Sequence, residues 1–187
     1  MDEYLRKPII LAFAGPNGSG KTTVARRLPV LGTYINADDL KKEYALTDLE
    51  AAQKAESLRY ALLESGVDFS FETVLSTERN LLLLQKAKLR GYEVRCVYVL
   101  TCNENINVAR VKARVAAGGH AVPVDKIRTR YHRALSLLPQ LVEISDSILI
   151  YDNSIVPVLI FNKEYTFSEI YPNSLWPESA LRNLLGV

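Results

Sequence analysis

A chain of 187 residues with a net charge of +2 is the length of one domain, and its charge is too small to argue for nucleic acid. Its 48% hydrophobic and 24% charged residues are ordinary for a water-soluble globular protein, and no apolar run approaches the length of a membrane span. With two cysteines, Cys96 in a predicted strand and Cys102 at its end, reduced thiols are expected rather than a disulfide.

In chain order, the acidic start Met1-Asp2-Glu3 reaches a glycine-rich loop by residue 15, which leaves no room for a secretory signal, so a cytoplasmic location is expected. Ile9 to Ala14 reads as a buried strand. Gly15-Pro16-Asn17-Gly18-Ser19-Gly20-Lys21-Thr22 then fits the Walker A pattern G-x-x-x-x-G-K-[ST], and Thr23 to Leu28 reads as a helix opening. Strand, loop and helix start in that order converge backbone N–H groups on a phosphate. Lys21 would reach the β- and γ-phosphates, Thr22 would ligate Mg²⁺, and Thr23 continues the nucleotide site.

Thr33 to Asn36 is a short second strand ending at Ala37-Asp38-Asp39. Residues 39–65 form a helical excursion with a break near Thr47-Asp48. Asp68 to Thr73 is a third strand carrying Glu72 at its end, Glu78 to Arg90 a helix closed by Gly91, and Glu93 to Thr101 a fourth strand. Ile106 to Ala117 is helical, Gly118 to Pro123 breaks it, and Asp125 to Leu138 is a basic helix. Ser147 to Asn153 is a fifth strand, Val156 to Phe167 an edge hairpin turning at Asn162-Lys163-Glu164, and a short helix follows Trp176-Pro177. This alternation predicts one α/β domain over residues 1–187, a P-loop NTPase three-layer sandwich. Its sheet would be five-stranded and mostly parallel, with a helical lid at 105–138 and the C-terminal edge hairpin. Ligands of such sheets sit at the carboxyl ends of the strands, which would gather the loop, Asp38, Glu72, Thr101, Asn103, Asp152 and Asn153 into one crevice.

Among nucleotide machines, a GTPase would carry Asn-Lys-x-Asp, but Asn162-Lys163-Glu164-Tyr165 lacks the Asp. A transport ATPase would carry a serine-glycine-glycine signature, absent here. A small-molecule kinase needs a phosphate loop, an acceptor carboxylate and an arginine-rich lid. Asp38 is expected as the base that takes the hydroxyl proton, with Asp39 capping the following helix. Glu72 is expected on the substrate. Arg110, Arg114, Arg128, Arg130 and Arg133 cluster around Gly118-Gly119 as the lid that neutralises the transferring phosphoryl. Two other readings stay open: an ATPase switch without a metabolite acceptor, and a polynucleotide 5′-hydroxyl kinase favoured by the basic lid.

Gly15 to Thr22, Asn36 to Leu40, Phe71 to Ser76, Arg110 to Pro123, Arg130-Tyr131 and Tyr151 to Ser154 together resemble the zeta-toxin family, and more closely its small branch. The resemblance implies a P-loop kinase that uses ATP and Mg²⁺ to phosphorylate the 3′-hydroxyl of UDP-N-acetylglucosamine, with an antitoxin protein as partner and no role for nucleic acid or membrane. By it Lys21 holds the phosphates, Asp38 is the catalytic base, and Glu72, with Asn36 and Thr73 beside it, binds the acceptor. The first lid arginine falls at Arg110 or Arg114. The second lands by spacing on His120, with Arg128 or Arg130 as the residues that carry its charge. Asp152-Asn153-Ser154 matches the adenine-contacting loop, which adds Asn153 to the nucleotide site. Asn36 stands where the larger toxins carry an aspartate.

Overall fold

In the computed structural model, which describes residues 6–187, seven strands form one sheet in the order β2-β3-β1-β4-β5-β6-β7. The first five are β1 (Ile9–Ala14), β2 (Thr33–Ile35), β3 (Phe69–Thr73), β4 (Glu93–Leu100) and β5 (Ser147–Asp152), and all pair in parallel. The expected hairpin is β6 (Val158–Glu164) and β7 (Phe167–Ile170), added antiparallel to β5. It turns at Tyr165-Thr166 rather than at 162–164, because Asn162 to Glu164 still pair with β5.

β1 is buried along its whole length, as a central parallel strand must be. Side chains alternate across a strand, so β1 divides two cores. Ile10, Ala12 and Ala14 face the larger one, built with α3 (Asp48–Ser65), α4 (Arg79–Leu89), α7 (Leu138–Ile144) and α8 (Glu178–Leu185). Leu11 and Phe13 face a smaller one, closed with Val97 and Val99 by Val24 and Ala25 of α1 (Lys21–Ala25). A third cluster joins α5 (Glu104–Ala116) to α6 (Val124–Ser136) through Val108, Val111 and Ile127.

Two helices differ from expectation. The helix after the phosphate loop starts at Lys21 and is one short α-helical segment. The basic helix stops at Ser136, and α7 begins at once with Pro139 in its first turn, where the missing N–H costs nothing. The break at Thr47 is as expected: its hydroxyl accepts from Glu50 N–H and Glu50 reaches back to Thr47 N–H, a capping box opening α3.

Candidate active site

The strand order sets the carboxyl ends of β2, β3, β1, β4 and β5 in a row, and a cavity of about 610 Å³ lies over the ends of β2 and β3 and the loop that follows β1. The loop at its floor is built around close backbone approach. Gly15 has φ 138°, and a Cβ there would sit 2.0 Å from the Val99 carbonyl oxygen. Gly18 has φ 79°, with the Asn107 carbonyl 2.5 Å from where a Cβ would be. From the flank, Asn107 Nδ2 donates to Asn17 O (2.7 Å) and Asn153 Nδ2 donates to Ser19 O (2.7 Å).

Lys21 folds back over this loop, its ammonium donating to Gly15 O (2.7 Å) and Pro16 O (3.1 Å). Burial lowers its pKa from the ordinary 10.5 to about 8, against the opposing pull of the Glu72 and Asp38 carboxylates.

The side of the cavity where the acceptor is expected is formed by β2, β3 and α2 (Ala37–Glu43). Asn36 is the N-cap of α2, its Oδ1 accepting from Asp38 N–H (2.8 Å). The cap expected at Asp39 is therefore Asn36. Asn36 still lines the cavity, but its side-chain oxygen is taken by the helix. Asp38 is released from capping and lines the cavity. Glu72 ends β3 with both oxygens held: Tyr34 donates its hydroxyl to Oε1, and Thr22 Oγ1 donates to Oε2 (3.3 Å). Burial first, and then the Glu72 contact, raises the Tyr34 pKa far above its ordinary value. Thr73 lines the cavity, and its hydroxyl accepts from Leu75 N–H (3.0 Å) and Asn80 Nδ2 (2.7 Å), shaping the Thr73 to Asn80 wall.

The lid is α5, α6 and the loop between them. Arg114 and Arg130 line the cavity; Arg130 Nη1 donates to Asn17 Oδ1 of the phosphate loop (3.4 Å), and Arg114 Nη2 to His120 O (3.1 Å). His120 also lines the cavity, but its ring faces the opposite wall, 3.4 Å from Asp48 Oδ2 and 3.4 Å from Lys41 Nζ. Arg128 is a correction: it leaves the cavity to pair with Glu104 and to donate to Asn105 Oδ1 (2.7 Å), tying α6 to α5. Arg110 lines the cavity with both terminal nitrogens on backbone carbonyls, Asn153 O (2.7 Å) and Ser154 O (3.1 Å).

Four further expected crevice residues do not line the cavity. Thr101 is fully buried, donating to Asn107 Oδ1 and Asn103 O. Asn103 caps α5. Asp152 accepts from Ser154 Oγ (2.5 Å), and the Asn153 side chain is committed to Ser19. Asn153 directly, and Thr101 through Asn107, brace the phosphate loop from the side away from the cavity. Sequence reasoning missed Tyr34, Asn80 and Asn107. A tyrosine one residue before the end of β2, in register with Ser70 two places before Glu72, was the available signal for Tyr34.

The chemistry fits a magnesium nucleotide. The Thr22 hydroxyl and Glu72 carboxylate put two hard oxygen donors beside the phosphate loop. Among the described residues no group of three or more His, Cys, Asp or Glu is gathered as a metal site. That suits an ion held mainly by phosphate and water. Among the same residues no helix is long and apolar enough to cross a membrane.

A buried parallel sheet, a glycine-rich loop with an inward lysine, carboxylates on one side and arginines on the other define a P-loop kinase. Residues 30–164 match the model of the zeta toxin family, and the chain belongs to that family. It is 30% identical over 125 residues to an uncharacterized protein of Haemophilus influenzae, covering 64% of this chain and 89% of that one. Its fold is similar to a structure of the PezAT chromosomal toxin–antitoxin system of Streptococcus pneumoniae, with a TM-score of 0.57 at 22% identity over 82% of this chain and 70% of that chain. It is also similar to the AvrRxo1-ORF1:-ORF2 complex with ATP, with a TM-score of 0.74 at 14% identity, and covers 96% of this chain but 64% of that one.

Proposed function

We propose that the protein transfers the γ-phosphate of ATP to a hydroxyl of a small acceptor, with Mg²⁺ bound at Thr22. The observation that carries this reading is that Lys21, Asp38, Glu72, Arg114 and Arg130 all line one cavity over the phosphate loop. The loop and Lys21 hold the phosphates, and Thr23 extends that contact along α1. The metal, when bound, neutralises charge on the β- and γ-oxygens. Asp38 takes the proton as the acceptor oxygen bonds to the γ-phosphorus. The bond from that phosphorus to the bridging oxygen breaks, and its electron pair leaves with ADP. Glu72 orients the acceptor and, with Thr22, would help to hold the metal. Arg114 and Arg130 neutralise the phosphoryl in flight, where preorganised charge is most effective. Asn36, Thr73 and His120 shape the acceptor wall.

The 3′-hydroxyl of UDP-N-acetylglucosamine is the acceptor that family membership suggests, and an antitoxin protein is the matching partner. The toxin–antitoxin origin of the pneumococcal relative supports that partner. A cytoplasmic location belongs to the same reading. The test is incubation with γ-labelled ATP, Mg²⁺ and a panel of UDP-sugars, nucleosides and a 5′-hydroxyl oligonucleotide. Label on one small acceptor is the expected result. Label released only as free phosphate with every acceptor makes the protein an ATPase, and label on the oligonucleotide makes it a polynucleotide kinase.

A further inference from the structure

We infer that Asp48 is a positioning residue for phosphoryl transfer: it holds His120 from the wall opposite the lid and, through that residue, sets the lid arginine Arg114. The inference rests on the reading that Arg114 neutralises the phosphoryl in flight. Asp48 belongs to neither the phosphate loop nor the lid. It is the first residue of α3, and it lines the cavity together with His120 and Arg114.

Both Asp48 oxygens have a neighbour. Lys41 of α2 donates its ammonium to Oδ1 at 2.6 Å, and Oδ2 lies 3.4 Å from His120 Nε2. Lys41 Nζ is also 3.4 Å from His120 Nδ1, so ammonium, carboxylate and imidazole close a triangle. With the ring proton on Nε2, Nδ1 is free to accept from Lys41 and the N–H is on the Asp48 side. The three residues come from α2, from α3 and from the loop between α5 and α6, so the triangle ties the lid to the opposite wall.

The second half of the relay lies inside the lid. His120 O accepts from Arg114 Nη2 at 3.1 Å, and Gly119 N–H donates to Arg114 O at 2.9 Å. Gly119 also lies close on the arginine stem, where a Cβ would be 2.6 Å from Arg114 Cγ. Residues 119 and 120 therefore hold Arg114 at its backbone, its stem and its guanidinium. A displacement of His120 moves that guanidinium, and a misplacement of about 1 Å can cost on the order of a hundredfold in rate. Exposed ion pairs add little to folding stability, and the Asp48 side chain is 66% exposed. The signature of the relay is thus in the rate rather than in the melting temperature.

The experiment measures transfer of labelled γ-phosphate from ATP, with Mg²⁺, to UDP-N-acetylglucosamine or, where that sugar takes no label, to water. Asp48→Ala is expected to lower the rate about tenfold, a modest misplacement. ATP affinity by calorimetry should stay within about twofold. Arg114→Ala alone should lose about a hundredfold. In that background Asp48→Ala should change nothing further, because residues acting as a unit do not add. His120→Gln, whose amide can accept from Lys41 and donate to Asp48, should keep more of the rate than His120→Ala. A tenfold loss that persists in the Arg114→Ala background overturns the inference, since Asp48 then acts on the acceptor or the fold directly. An unchanged rate in Asp48→Ala overturns it as well. Should Asp48→Ala melt too early to assay, the two His120 variants decide, and equal losses in both overturn the relay. Arg114→Ala that transfers like wild type removes Arg114 from the reaction, and the relay with it, but leaves the kinase reading standing. Wild type that labels neither sugar nor water ends both.

Discussion

Glu72 at the end of β3 accepts the hydroxyl of Thr22, 3.3 Å away across the gap between β3 and the phosphate loop. One carboxylate thus touches the hydroxyl proposed to hold the metal and lines the cavity, while Tyr34 holds its other oxygen. In the proposed reaction, acceptor and metal are coupled through this one side chain.

That coupling predicts a graded response. Glu72→Gln should lower transfer about a hundredfold, as expected for a lost charge at the transferring group. Tyr34→Phe keeps the carboxylate and removes one donor, so turnover should fall about tenfold with the Mg²⁺ requirement shifted upward. Initial rates across a Mg²⁺ titration check both. An unchanged Mg²⁺ dependence in Glu72→Gln would restrict Glu72 to the acceptor.

Capping and catalysis separate cleanly on α2. Asp38→Asn should lower transfer by about 10² to 10⁴ while ATP affinity and melting temperature stay near wild type. Asn36→Ala should cost about 1 kcal/mol of stability through the lost cap. A calorimetric melt and a labelled-ATP assay on both variants make the comparison. If Asp38→Asn instead destabilised the fold and kept its turnover, the base lies elsewhere.

Lys21 gives a pH dependence with a definite sign. Its pKa is held near 8, below the ordinary 10.5, so between those values the unfolded chain binds the extra proton. The group's cost to folding therefore fades as pH rises through that window. A bound triphosphate restores the charged form, so ATP affinity should be flat below pH 8 and fall above it. Near pH 9 binding should take up close to one proton, seen as a buffer-dependent heat of binding. Lys21→Met should abolish that dependence; proton uptake persisting in the variant would assign it to another group.

Arg128 and Arg130 should part company although only one residue lies between them. Arg130→Ala is expected to reduce transfer by about 10² to 10³, with a smaller change in ATP affinity. Arg128→Ala loses its partly exposed pair with Glu104, costs less than about 1 kcal/mol, and leaves transfer intact. Steady-state rates beside thermal melts distinguish the two, and equal losses of transfer would return Arg128 to the site.

The contrast between these arginines shows where sequence stops being informative. The phosphate loop is legible because its geometry is local: glycines, lysine and threonine at fixed spacing between a strand and a helix. Asp38 and Glu72 are legible because strand ends converge in a parallel sheet. Arg128 and Arg130 sit two apart on one helix and so point to opposite sides. Only the packing of Val108 and Val111 against Ile127 decides which faces the cavity. The same limit explains Thr101, Asp152 and Asn153. The strand-end rule brings them to the crevice, but cannot tell a side chain aimed at a ligand from one aimed under the loop that holds it. α7 was hidden because Leu138-Pro139 reads equally well as the end of one helix or the first turn of the next.

The small cluster of Val108, Val111 and Ile127 is separate from the two cores flanking the sheet. Helices α5 and α6 are joined to each other by these apolar contacts, with the Arg128–Glu104 pair as a second link. Arg114 of α5 and Arg130 of α6 are thereby held at a set spacing across the cavity, while Arg110 stays anchored to the loop after β5.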